Sequence, residues 1–141
     1  MYATAIARNK FVADGVGSTP QERLLVLLYD RLLRDLDDAS VAIGGSDVGG
    51  AHDALTHAQD IVAELHSALD PARWDGADAM AALYTYLADV LARANISKST
   101  NLVAEARSLV APMRDTWAEA HAITAAPVAV SSAAGGIDVA G

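Results

Sequence analysis

From Pro20 onward the chain alternates apolar and polar residues with a helical rhythm. Leu25, Leu28, Leu32, Leu36, Ala39 and Ile43 recur at three- and four-residue steps and line one face of a helix predicted over 20–43. Thr19 and Glu22 have the spacing of a capping box, and Pro20 falls at the first helical position, where its missing N–H is harmless. Leu24, Val26, Leu27 and Leu33 lie outside that line, so the apolar sector is wider than one partner helix needs. Either this helix is buried on several sides, or part of its surface waits for another chain.

Three more segments carry the same period. Leu55, Ala58, Ile61, Val62, Leu65 and Leu69 form a second stripe that Pro71 stops, with an uncertain start at Gly49 and Gly50. Met80, Leu83, Leu87, Val90, Leu91 and Ala94 form a third, with Asp75 or Asp78 as its cap. Leu102, Val103, Ala106, Leu109, Val110, Met113 and Trp117 form a fourth, capped by Ser97 or Ser99 and interrupted by Pro112. Links this short force neighbouring helices to run antiparallel. The expected fold is therefore all-α, an antiparallel four-helix bundle over 19–123. Residues 1–18 read as a short helical cap with a glycine-marked hinge, and residues 124–141, without helical period, as a flexible tail.

Composition narrows the function classes. Hydrophobic content of 52% over 141 residues suits one folded domain. With no cysteine there is no disulfide framework, thiolate nucleophile or thiolate metal site. A net charge of −8 argues against nucleic-acid binding, and no apolar stretch is long enough for membrane insertion. The N-terminus lacks the features of a secretory signal, so the expectation is a soluble protein of the cytosol.

The chemistry of sites gives little. No two of His52, His57, His66 and His121 share a helix face at metal-ligand spacing. His57 with Asp53, Asp60 and Glu64 reads as a solvated polar face, and Asp35, Asp37 and Asp38 as helix surface. The histidine context of a phosphotransfer bundle is missing, as are phosphate loops and nucleotide fingerprints. The expectation is a protein that is not an enzyme and holds no cofactor and no metal.

Four stretches, in order, carry a resemblance: VGSTPQERLLVLLYDRLL (16–33), HAQDIVAELHSALD (57–70), LYTYLADVLARANI (83–96) and RDTWAEA (114–120). Together the chain resembles the FliS family of flagellin-specific export chaperones. The resemblance implies a helical bundle with a small N-terminal cap. It also implies a function: binding the disordered C-terminal region of flagellin in the cytosol, blocking premature polymerisation, and delivery to the cytoplasmic domain of the flagellar export gate. The chain departs from the family in having Phe11 where a tyrosine is common and Arg31 where a glycine is common.

An amphipathic partner of that kind is taken up by helix-in-groove recognition, which needs surplus apolar surface. Leu24 and Leu27 supply it on the first helix, and Tyr29, Tyr84 and Tyr86 are candidates for groove walls or, equally, for core or rim packing. Gln59 and Asn95 are candidates for the groove edge or for bridges within the bundle, and Ile96 follows Asn95. Tyr2, Phe11 and Val16 complete the candidate set in the N-terminal segment, which either covers the groove until the partner arrives or is a permanent cap. The alternative is a generic helical adaptor for another amphipathic-helix partner.

Overall fold

The computed structural model describes the backbone of residues 20–134, except 71, 73 and 74, and side chains between residues 22 and 120. Within these limits the chain forms four helices and no strand: α1 (Pro20–Gly44), α2 (Val48–Ser67), α3 (Ala77–Ser97) and α4 (Thr100–Ala134). Each helix packs on the next, and α4 returns to α1, so the four close an up-down-up-down bundle with α1 and α3 on one diagonal. The N-terminal cap, Thr19 of the capping box, and the candidates Tyr2, Phe11 and Val16 lie outside the described residues.

The stripes read from the sequence meet in one core. Leu32 and Leu36 of α1, Leu55 and Leu65 of α2, Leu87 and Leu91 of α3 and Val103 and Val110 of α4 are all fully buried. Most of the surplus on α1 is inside as well. Leu24 is buried, Leu33 packs against the core and Val26 is half-buried, whereas Leu27 remains 50% exposed.

The helix ends correct several expectations. Asp47 caps α2: its side chain accepts a bond from the Gly50 amide at 2.9 Å. A Cβ at Gly50 would press on that carboxylate, which would have to turn to keep the bond, so the glycine that blurred this boundary in the sequence leaves the cap uncrowded. Neither Asp75 nor Asp78 caps α3; Gly76 occupies that position without a side-chain bond, and Asp78 lies in the first turn, where its charge suits the helix dipole. Ser99 caps α4 as expected, accepting from the Leu102 amide at 3.2 Å. Helix α4 runs through Pro112 and on to Ala134, past the limit of its apolar stripe. The added stretch is rich in alanine, whose backbone favours helix without any packing partner. Residues 124–134 are therefore helical backbone rather than irregular chain.

Polar side chains clamp each seam between neighbouring helices. Asp35 of α1 meets His57 of α2 at 2.5 Å. His52 of α2 meets Asn95 of α3 at 3.2 Å. The Tyr86 hydroxyl of α3 donates to Glu105 of α4. Arg107 and Arg114 of α4 reach Asp37 and Asp30 of α1 at 2.8 and 2.6 Å. On both helices these partners are about two turns apart, in opposite order along the chain, which fixes the antiparallel register of α1 and α4.

Candidate partner-binding surface

The structure divides the sequence-derived candidates into three groups. Leu24, Tyr29 and Tyr84 belong to the core, with exposures of 5%, 0% and 2%. Gln59 and Asn95 are half-buried. Leu27, Tyr86 and Ile96 are exposed, by 50%, 44% and 85%.

Tyr29 and Tyr84 are the wall candidates that folding claims for itself. Their hydroxyls meet at 2.5 Å across the bundle diagonal, α1 to α3. Trp117 of α4 also bonds to Tyr29, and an indole N–H can only donate, so the Tyr29 oxygen accepts from it. Burial pushes both phenols above their ordinary value of 10.0, because a phenolate inside the bundle would lose its hydration. Bonds from Tyr84 and Trp117 partly offset this at Tyr29, while a charged Tyr29 would raise Tyr84 further. Both are neutral hydroxyls that join three helices.

Asn95 bridges within the bundle. Besides meeting His52, it accepts from the Lys98 ammonium at its side-chain oxygen (2.6 Å) and at its carbonyl (2.5 Å). Asp35 overturns its reading as helix surface. It is 2% exposed, and its carboxylate accepts from Arg31 Nε at 3.2 Å as well as from His57 Nδ1. A carboxylate can only accept here, so His57 carries its proton on Nδ1. Asp37 and Asp38 are exposed, as expected. Asp30 pairs across the seam with Arg114 of α4. Among the described residues no group of three or more His, Asp or Glu is placed to hold a metal ion. No described helix is long and apolar enough to cross a membrane.

The exposed candidates flank α4. Tyr86 touches α4 from α3 through Glu105. Leu27 lies one turn before Asp30, the residue through which α1 holds Arg114, so it borders the opposite edge of α4. The two levels, near Glu105 and just beyond Arg114, are about 18 Å apart along the helix. They are two patches rather than the walls of one groove. Ile96 stands at the end of the bundle that carries the α1–α2 and α3–α4 turns.

Two further exposed apolar residues belong to that end: Val41, 76% exposed in the last turns of α1, and Val48, 62% exposed at the start of α2. The sequence reading passed over both. Val41 was detectable because it falls off the line that joins Ala39 to Ile43; Val48 gave no such signal, its helix start being hidden by the glycines.

The family model described as "Flagellar protein FliS" matches residues 3–124. The flagellar secretion chaperone FliS of Bacillus subtilis (strain 168) is 33% identical over 103 residues, spanning 73% of this chain and 76% of that relative. The chain belongs to the flagellar protein FliS family.

Proposed function

We propose that this chain is a flagellar export chaperone. It binds the disordered C-terminal region of flagellin in the cytosol, prevents premature polymerisation, and delivers its cargo to the cytoplasmic domain of the export gate. The observation that carries this reading is family membership over 3–124, with a relative named as a flagellar secretion chaperone. The distribution of apolar surface supports it. The core is filled without a partner, yet Leu27, Tyr86 and Ile96 stay exposed on separated parts of the bundle. A rigid helix in one groove would not touch all three. A disordered segment that folds as it binds wraps over a large surface and links such patches, at a cost in ordering entropy.

Titration calorimetry of the full chain against a flagellin C-terminal fragment tests the proposal. Binding that is accompanied by a gain of helix and a negative heat-capacity change is expected. Substituting Leu27 or Ile96 by Asp should weaken binding while lowering the melting temperature only slightly. Absence of binding to this fragment, with binding to an unrelated amphipathic peptide, would favour a general adaptor instead.

A further inference from the structure

We propose that this chain exchanges α4 with a second copy of itself, through straightening of the link between α3 and α4. Only Lys98 and Ser99 separate the two helices. Lys98 sits in the left-handed region, at φ 51 and ψ 50, where a side chain other than glycine is strained. Short, strained hinges favour exchange, because opening the hinge releases the strain.

The sequence around the hinge permits a straight helix. From Ile96 to Asn101 it contains neither glycine nor proline. The α1–α2 turn also has a left-handed residue, Ser46 at φ 58, but it follows Gly44 and Gly45, which penalise helix continuation. Exchange is therefore directed to the α3–α4 link.

Release of α4 gives up its core packing and the bond from Trp117 to Tyr29, and the second copy's α4 restores both. Its buried side chains, Val103, Ala106, Val110 and Met113, are mostly smaller than the leucines Leu28, Leu32 and Leu36 that α1 contributes. Its clamps to α1 and α3 lie at the surface, where water replaces them readily. A second copy's α4, entering the vacated place, remakes the same contacts, including the bond from Trp117 to Tyr29, and closes a symmetric dimer. The two strained Lys98 residues are relaxed in the product.

The absence of native cysteine makes a direct test simple. One full-length chain carries Asp37→Cys and another Arg107→Cys; neither can cross-link within itself. The two are mixed at high concentration, incubated in mild urea, returned to buffer, and treated with a short bismaleimide. Light scattering during gel filtration reads the mass. The expected result is a dimer in which the two different chains are cross-linked, since α4 of one lies on α1 of the other. Lys98→Gly, which relaxes the turn and penalises the straight helix, should lower the dimerisation constant at least about tenfold. A chain that stays monomeric, a dimer without the mixed cross-link, or a dimer indifferent to Lys98→Gly would each overturn the proposal.

Discussion

The hydroxyl pair at the bundle centre makes a prediction that separates its two members. Tyr29 and Tyr84 are almost fully buried, and their oxygens are 2.5 Å apart. Tyr84→Phe removes one partner of Tyr29, which keeps its bond from Trp117. The cost should be about 1 kcal/mol, the net worth of one hydrogen bond. Tyr29→Phe does more, because it leaves the Tyr84 hydroxyl buried without that partner and also removes the oxygen that accepts from Trp117. Its cost should be about 2–3 kcal/mol, the desolvation penalty of an orphaned polar group. The double variant orphans no hydroxyl, so it should cost about 1–2 kcal/mol less than the two single losses together. Urea denaturation of the four proteins, analysed as a double-mutant cycle, measures each quantity. Additive losses, or a larger loss for Tyr84→Phe than for Tyr29→Phe, would refute this account of the core.

The same pair predicts sensitivity to alkali: both tyrosines hold their protons more tightly in the fold than at the ordinary value of 10.0, so their contribution is complete below about pH 10 and declines above it. The slope should approach about 1.4 kcal/mol per pH unit for each tyrosine, and the loss should be much shallower in the doubly substituted protein, as denaturation at several pH values will read. Leu32→Ala should cost about 2–5 kcal/mol, since Leu32 is fully buried, whereas Leu27→Ala at 50% exposure should cost less than about 1 kcal/mol; equal losses in chemical denaturation would contradict the placement of the α1 stripe. His57→Ala leaves the buried Asp35 carboxylate with Arg31 as its remaining clamp and should destabilise by about 1–2 kcal/mol, with His57 itself half in solvent; an unchanged urea midpoint would mean that the α1–α2 clamp is idle.

Much of the architecture was legible because it rests on period alone. Each helix announces itself by apolar residues on one face, and short links leave antiparallel neighbours as the only arrangement. What period cannot convey is the fate of residues at the boundary of the stripe. Leu24 and Leu27 look alike in sequence, yet one is 5% exposed and the other 50%, because a few tens of degrees around the helix decide whether a side chain meets the core or water. Tyr29 and Tyr84 were open to two readings for a related reason. An amphipathic ring suits a groove wall or a core, and only the arrival of the second hydroxyl from across the bundle decides between them. Asp35 was misplaced because its partner, His57, comes from the next helix. Its neighbours Asp37 and Asp38, with the same chemistry, do face solvent.

The polar clamps supply what the apolar stripes lack. Leucines and alanines repeated at helical spacing would pack almost as well if one helix slid by a turn, so hydrophobic burial sets the bundle without fixing its register. A slide of α4 would part Arg107 from Asp37 and Arg114 from Asp30 together, and a slide of α2 would leave the buried Asp35 carboxylate with Arg31 alone. The exposed pairs each contribute at most about 1 kcal/mol in screening solvent, yet the buried one is costly to break, so the alternatives are penalised even where the native gain is small. With every seam held in this way, insertion of a partner between helices would have to break a clamp. The exterior is the less costly route, and under the function proposed above the apolar groups left there, on either side of α4 and at the turn end, are the first surface to test.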